Sequence, residues 1–298
     1  MTPRAYPTPE AFRQALEQRL RAAAKSKSSD IARLRQVLVF DRFLARIFQE
    51  LGERVVVKGG VVLELRLERA RTTRDVDLRV ASATDNLLDR LRIAGALTLG
   101  DHLTFDVAPD RHHPTIEGDG LVYEGQRFRV EAALAGKIYA SAFGLDVGFG
   151  DVMTFPPEAI PGSDFLAFAG VLRPTHRVYP REAHVAEKLH AYTMPRLREN
   201  SRVKDLPDLA LLATTGPFES SRLRAALDAT FAFRKTHALP FKLPGPPESW
   251  RPTYTRMATD EQLRWRDIDD LVVAVGRFVD PVLAQAVGVW DPVTWSWR

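Results

Sequence analysis

The sequence predicts an α/β fold in which a mixed sheet with flanking helices precedes a C-terminal helical domain. Three observations lead to this prediction. Patterns of helical and strand period alternate over about the first 150 residues, and the later strands are joined by short turns. The segment 154–180 is rich in Pro and Gly and has no sustained period. The apolar patterns after it have helical spacing, so we predict domains at 1–180 and 181–298 with a cleft between them.

The first 50 residues carry helical patterns. In the second of these helices, Ser28 or Ser29 could cap the start and Gly52 could end it. The β-branched run from Arg54 to Val57 then predicts a buried strand that feeds a turn.

The next segments complete the predicted sheet and the helical domain. A helix follows Gly59 and Gly60, and residues Asp75 to Val80 alternate charged and apolar side chains with the period of a strand. Further helices are predicted at 84–95, 181–197, 207–215, 220–239 and 259–287, further strands at 102–109, 125–134 and 142–152, and a loop or linker at 154–180.

Tryptophan is confined to one end of the chain. All five tryptophans lie in the final 49 residues. This distribution predicts a tail that folds back onto an apolar surface of the chain, and the alternative is an interface with a partner.

Composition excludes several classes of protein. Of 298 residues, 45% are apolar and 27% are charged, which is typical of a soluble globular chain and not of a disordered or fibrous one. The chain has no cysteine, so a disulfide framework, a thiolate zinc site and a cysteine nucleophile are excluded. The opening residues lack the apolar core of a signal peptide, and no stretch approaches the length of a membrane span. We therefore predict a cytoplasmic protein with no membrane partner.

The strand from Asp75 to Val80 carries the chemistry. Side chains alternate along a strand, so Asp75 and Asp77 share one face while Val76 and Leu78 point into the core. Two adjacent carboxylates repel each other unless a cation lies between them, and oxygen ligands favour Mg²⁺. Each feature alone has a plain structural explanation: the glycine pair as a tight turn before a helix, and Asp-Val-Asp as a solvated sheet face.

Four matches in order along the chain identify a family resemblance. They are Lys58-Gly59-Gly60, the segment Arg71-Thr72-Thr73-Arg74-Asp75-Val76-Asp77-Leu78, the helical Glu187-Lys188-Leu189-His190-Ala191, and Arg202-Val203-Lys204-Asp205-Leu206-Pro207-Asp208-Leu209. The first two resemble the minimal nucleotidyltransferase fold of the DNA polymerase β superfamily. All four together resemble the AbiEii/MenT family of toxins from bacterial toxin–antitoxin systems.

The resemblance implies transfer of a nucleoside monophosphate from a nucleoside triphosphate to the 3′ end of tRNA, which blocks aminoacylation and translation until a cognate antitoxin intervenes. It implies Mg²⁺ or Mn²⁺ as cofactor. Pro207 departs from the family pattern, so either Asp205 or Asp208 could take the essential acidic role. The implied catalytic residues are Asp75, Asp77, Lys188, Asp205 and Asp208; the implied nucleotide-binding residues are Lys58, Gly59, Gly60, Thr73 and Arg202; and the implied metal ligands are Asp75 and Asp77, to which the strand position of Asp146 adds a third candidate.

Two of these assignments have alternatives. Asp146 ranks first as the third metal carboxylate, because it lies between two apolar residues on a predicted strand, and Glu131 is the second candidate. Lys188 could be a phosphate-binding cation, or a surface lysine paired with Glu187 or another acid.

Other chemistries find little support. His184 and His190 lie six residues apart on a predicted helix, and His112 and His113 lie in a predicted loop, so neither pair has metal-ligand spacing and all four are predicted to be solvated. The sequence shows no nucleophile elbow, Ser-His-Asp arrangement or Walker motif.

The sequence is compatible with more than one kind of acceptor. The same fold could modify a protein or a small molecule, or the chain could be a nucleotide- or RNA-binding protein without turnover. Two blocks of arginine favour an RNA acceptor, because RNA is recognised largely through its backbone charge and shape. We expect one positive surface formed by Arg71, Arg74, Arg196, Arg198 and Arg202.

Overall fold

A computed structural model of the chain describes residues 6–27, 29–67, 73–82, 85–116, 125–150, 152–196 and 202–298. It confirms the α/β class, with a central mixed sheet flanked by helices. The helices are α1 (Pro9–Lys27), α2 (Ile31–Leu51), α3 (Gly59–Arg66), α4 (Leu87–Ala96), α5 (Arg181–Thr193), α6 (Asp205–Ala213), α7 (Ser220–Arg234), α8 (Trp250–Asp260) and α9 (Ile268–Leu283). The strands are β1 (Val55–Lys58), β2 (Asp75–Val80), β3 (Leu103–Pro109), β4 (Gly125–Leu134), β5 (Lys137–Ile138), β6 (Phe143–Phe149), β7 (Glu158–Pro161), β8 (Thr175–Val178), β9 (Phe218–Glu219), β10 (Val289–Asp291) and β11 (Ser296–Trp297).

The large sheet places the acidic strand at its centre. Its strand order is β3-β4-β6-β2-β1-β8-β7, with β5 paired to β4. The pairs β2–β6 and β1–β8 are parallel, and the others are antiparallel. The register places Asp77 beside Lys58 on one neighbouring strand and beside Asp146 on the other. The topology therefore brings together three residues that are far apart in the sequence.

Helix α2 packs against the apolar face of this sheet. Phe40 and Phe43 contact Phe143 of β6, with ring centroids 5.0 and 5.5 Å apart. Gly52, with a φ of 60°, ends the helix as predicted. The predicted cap is wrong: Ser28 lies outside the described residues, and the cap is not Ser29 but Asp30, whose carboxylate accepts from the Ala32 N–H at 3.0 Å.

The segment 154–180 is not the loop or linker that its composition predicted. It contains β7 and β8, which pair with each other, while β8 also pairs with β1. Both strands are only four residues long, too short for a clear period. Strand β7 ends in Pro161 at the sheet edge, where proline is tolerated. His176 of β8 is fully buried, and its Nε2 lies 2.8 Å from Asp41 Oδ1 of α2, so this contact joins the segment to α2.

The C-terminal third is helical as predicted, with three differences. Helix α8 was not predicted; its Pro252 lies in the first turn, where proline is tolerated. Helix α9 begins at Ile268 and not at 259, because Asp267 caps it by accepting from the Asp269 N–H at 2.7 Å. A small sheet of order β11-β10-β9 was also not predicted.

The tryptophan-rich tail docks on the helices, which confirms that prediction. Trp290 is fully buried, and the indole N–H groups of Trp290, Trp295 and Trp297 donate to backbone carbonyls of α6 and α9 at 2.9, 3.0 and 3.0 Å. Among the described residues, no helix is long and apolar enough to cross a bilayer.

The buried apolar residues form two principal clusters. The first cluster contains buried apolar residues from Phe12 to Val178 in the sequence and lies under the large sheet. The second cluster combines Leu63 of α3 with buried apolar residues from Val185 to Trp295. Since α3 contributes to the second cluster, the helix that follows Gly59 links the sheet to the C-terminal helices.

Candidate active site

A cleft of about 400 Å³ lies between the sheet and helices α5, α6 and α7. We call its sheet side the strand wall and its opposite side the helix wall. Every residue assigned to the site from sequence lines this cleft except Asp208, which is fully buried behind it. The strand wall consists of Lys58, Gly59, Gly60, Thr73, Arg74, Asp75, Asp77, Ile116, Arg127, Asp146 and Gly148, and the helix wall of His184, Glu187, Lys188, Ala191, Arg202, Lys204, Asp205 and Arg234.

The two carboxylates of β2 share one face, as their spacing predicted. Val76 and Leu78 are fully buried in the core, while Asp75 and Asp77 face the cleft. The fold therefore holds two anions on neighbouring positions of one strand face, about two strand residues apart.

Glycine makes room for both carboxylates. A Cβ on Gly59, which has a φ of +70°, would lie 1.8 Å from Asp77 Oδ2. A Cβ on Gly144 of β6 would lie 2.5 Å from Asp75 Oδ1. Gly59 therefore serves close packing against Asp77 as well as the start of α3.

The electrostatics of Asp77 link the two walls. Burial raises the pKa of Asp77 from 3.8 to about 6, and the negative charge of Asp146 adds to the increase. Lys58 and Lys188 act in the opposite direction. A carboxylate in such surroundings is stabilised in its charged form by an additional cation.

Asp146 lies beside Asp77 but is already paired. Both of its oxygens accept from Arg127 of β4, at 2.7 and 2.8 Å, and this contact raises the pKa of the Arg127 guanidinium. Arg127 could not be identified from sequence, because the contact depends on the pairing of β4 with β6. Glu131, the second candidate, does not line the cleft. Over the described ranges, no three His, Asp or Glu side chains converge as a ready metal site.

Lys188 contacts both of the acids between which sequence left the choice open. Its Nζ lies 2.8 Å from Asp205 Oδ1 and 2.9 Å from Asp208 Oδ2. Both aspartates lie in the first turn of α6, where Pro207 is accommodated because the first helical N–H groups need no partner within the helix. The other oxygen of Asp205 is buried and has no hydrogen-bond partner among the described residues.

Glu187 does not pair with Lys188. Its carboxylate lies 3.2 Å from Arg234 of α7 and 3.8 Å from the Nζ of Lys58. A cation of the strand wall and a cation of α7 thus share one acid of the helix wall. Sequence could not identify Arg234, because only the packing of α7 on α5 brings it to the cleft.

Thr73 lies in the cleft, although its hydroxyl already has a contact. The side chain is 7% exposed, and its Oγ donates to the backbone carbonyl of Asp75 at 3.3 Å. The Thr73 N–H donates to Glu64 of α3 at 2.6 Å. These contacts hold the start of β2 against α3.

The expected arginine surface is reproduced in part. Arg74 and Arg202 are exposed and line the cleft from opposite walls. Arg196 does not line it. Arg71 and Arg198 lie outside the described residues.

The prediction of solvated histidines is wrong for α5. His184 and His190 are only 1% and 2% exposed, because α5 is packed against α6 and α7 as well as lying over the cleft. His112 and His113 are exposed as predicted. Since His184 lines the cleft, this residue belongs to the candidate site although the sequence assigned it no role.

Comparison with known proteins identifies a family whose profile matches this chain. The profile of a family described as nucleotidyl transferase AbiEii toxin of type IV toxin–antitoxin systems matches residues 42–273. No curated protein sequence matches the chain.

Solved structures give a likeness in fold. The chain is similar to MenT4, a nucleotidyltransferase toxin from Mycobacterium tuberculosis H37Rv, with a TM-score of 0.60 and 16% identity over 93% of this chain and 92% of that one. It is also similar to JHP933 from Helicobacter pylori, with a TM-score of 0.48 and 16% identity over 86% and 94% of the two chains. The likeness to MenT4 supports the mixed α/β fold.

Proposed function

Because the chain belongs to the AbiEii family of nucleotidyltransferase toxins of type IV toxin–antitoxin systems, we propose that it transfers a nucleoside monophosphate from a nucleoside triphosphate to the 3′ end of tRNA. The modified tRNA no longer accepts an amino acid, and translation stops. One observation carries the proposal: the paired carboxylates of β2 and the lysine of α5 face each other across one cleft. The family implies an antitoxin as partner.

The strand wall fits a divalent metal ion. Asp75 and Asp77 offer hard oxygen ligands on one face, and burial together with the charge of Asp146 raises the pKa of Asp77, so a bound cation would stabilise its charged form. Mg²⁺ or Mn²⁺ held by these two residues would neutralise charge on the phosphates and activate the attacking hydroxyl. Asp146 would join them if Arg127 gave up its contact.

The reaction is a displacement at the α-phosphorus. The 3′-hydroxyl oxygen of the acceptor forms a bond to this phosphorus, the bond from phosphorus to the bridging oxygen of the β-phosphate breaks, and pyrophosphate leaves while the hydroxyl proton is released. The protein contributes position and electrostatics. Lys188, oriented by Asp205 and Asp208, places its ammonium in the cleft, where it would stabilise negative charge on the leaving pyrophosphate.

The charge of the cleft suits a triphosphate and an RNA end. Among the residues that the structure describes, its lining contains seven Lys and Arg side chains against five Asp and Glu. Arg74, Arg202 and Lys204 are exposed at the cleft, where phosphates of an acceptor would be contacted. We interpret residues 1–180 as the nucleotidyltransferase domain and 181–298 as the helical domain that completes the cleft, and the two apolar clusters support this division.

The test is a transfer assay with a chemically blocked control. Purified protein, Mg²⁺ and total tRNA are incubated with each labelled ribonucleoside triphosphate in turn. We expect label in tRNA with at least one of them, a matching loss of aminoacylation, and no label in tRNA whose 3′-terminal ribose has been oxidised with periodate. Label in periodate-treated tRNA, or only in protein or a small molecule, would contradict the tRNA acceptor. No transfer to any acceptor would contradict the enzyme activity.

A further inference from the structure

His184 stands out among the polar side chains of the cleft. It is 1% exposed, and neither of its ring nitrogens has a hydrogen-bond partner among the described residues. It also lines the cleft. A buried polar group without a partner destabilises the folded protein, so its presence in a site that opens to substrate calls for a reason.

A second buried histidine on the same helix has a hydrogen-bond partner. His190, six residues later on α5, is 2% exposed, but its Nε2 lies 2.8 Å from the Thr236 hydroxyl. His190 does not line the cleft. The histidine that packs away from the cleft is therefore satisfied by the protein, whereas the histidine that faces the cleft is not.

The surroundings of His184 indicate which ligand would satisfy it. Lys188 lies one helical turn later, so the two side chains share a face of α5. Lys188, Arg66 and Lys58 contribute positive charge at the ring, and Asp208 contributes negative charge. Gly59 and Gly60, which begin α3, line the same cleft. An anion with several oxygen atoms fits these neighbours.

We propose that His184 is a nucleotide-binding residue that donates a ring N–H to an oxygen of the bound triphosphate. The inference rests on the proposed function and adds a contact to it. Burial lowers the pKa of His184 to about 3, so the ring is uncharged at neutral pH and has one N–H to donate. It would supply a hydrogen bond without adding charge among the lysines.

Paired substitutions at the two histidines test the proposal. His184→Phe removes the unpaired nitrogens and keeps a ring, so the ligand-free protein should melt at a higher temperature than wild type. The same variant should bind the triphosphate about tenfold or more weakly, since a hydrogen bond to a charged group is lost. His190→Phe, the matched control, should melt at a lower temperature and bind with wild-type affinity. Melting is followed by calorimetry, and the dissociation constants of the four ribonucleoside triphosphates with Mg²⁺ are measured by titration calorimetry without tRNA.

A conservative variant sharpens the result. His184→Gln retains an N–H donor and should bind the triphosphate more tightly than His184→Phe. If His184→Phe does not fold, His184→Leu takes its place in the same comparison. Wild-type affinity in the apolar variant would overturn the role of His184 and leave the proposed function intact. If wild type binds none of the four triphosphates, the proposed function itself is overturned.

Discussion

The two walls of the cleft differ in how the protein compensates their charged side chains. On the strand wall, Asp75 and Asp77 share a face, and Asp77 is left with a raised pKa. On the helix wall, Lys188 is held at 2.8 and 2.9 Å by Asp205 and Asp208, which lie almost fully out of solvent. Burial thus disfavours the charged form of Asp77 on the strand wall, whereas the charge of Lys188 on the helix wall is paired within the protein. Substitutions should therefore separate activity from stability on the strand wall and not on the helix wall.

The largest effect is expected at the carboxylates of β2. Asp75→Asn or Asp77→Asn should reduce transfer by about 10³-fold or more, because several kcal/mol of metal-dependent charge stabilisation are lost. The free energy of unfolding should not fall by more than about 1 kcal/mol below that of wild type, since an amide relieves the repulsion. Transfer assays and urea denaturation measure the two quantities. Asp89→Asn, at a side chain 67% exposed outside the cleft, is the control. Full activity of Asp75→Asn would refute the site.

The helix wall should respond in both quantities. Lys188→Ala leaves two buried carboxylates without their cation, so stability should fall by about 3 kcal/mol or more together with transfer. Lys188→Arg should recover little transfer, because a planar guanidinium does not replace a compact ammonium.

A combined variant separates the two roles of Lys188. Lys188→Met with Asp205→Asn and Asp208→Asn removes all three charges and should regain much of the stability but none of the transfer. An active combined variant, or a Lys188→Ala protein as stable and active as wild type, would show that Lys188 only pairs charges.

The comparison also explains what sequence could reveal. Asp75 and Asp77 lie on one face because side chains alternate along a strand, and this alternation can be recognised in the local sequence. The contacts of Lys188 with Asp205 and Asp208 needed the packing of α6 on α5, so sequence left the choice between the two acids open. Arg127 depends on strand pairing across the sheet.

The short strands and the burial of His184 could not be predicted from the sequence, for related reasons. The four-residue strands in 154–180 give no readable period, and β9 pairs with β10 some 70 residues later. The burial of His184 could not be predicted either, because a helical period identifies a face of α5 but not how many neighbours surround it.

A smaller effect is expected from pH and metal together. The pKa of Asp77 in the folded protein, about 6, lies above its ordinary value of 3.8, so the folded state holds a proton that the unfolded chain releases. The stability contributed by this proton is present at low pH and is lost as the pH rises through about 6.

Magnesium should compensate for that loss. A hundredfold excess over its dissociation constant should stabilise the protein by about 2.7 kcal/mol at pH 7.5, and by less at pH 5, where the proton competes. Melting temperatures at both pH values, with and without Mg²⁺, measure this. Asp77→Asn should lose the pH-dependent difference; if it keeps the difference, Asp77 is not the group responsible.

The smallest effect is expected at two arginines of the cleft, one on each wall. Arg74 and Arg202 lie at the cleft on opposite walls, so each should contact one tRNA phosphate. Each contact contributes about 0.7–0.9 to the slope of log K against log salt concentration. The double variant Arg74→Ala, Arg202→Ala should therefore flatten the slope by about 1.5, whereas Arg256→Ala on α8 should leave it unchanged. Filter binding across a salt series measures it, and binding insensitive to salt would argue against RNA as acceptor.

Because a chain is synthesised from its N-terminus, the docking of Trp290 can occur only late in synthesis. Its indole N–H donates to the carbonyl of Ala213, the last residue of the helix that carries Asp205 and Asp208. A ribosome releases the acidic strand about 200 residues before it releases this tryptophan. We therefore expect the end of α6 to gain this contact only after Trp290 has left the ribosome, when the acidic strand has long been available to fold.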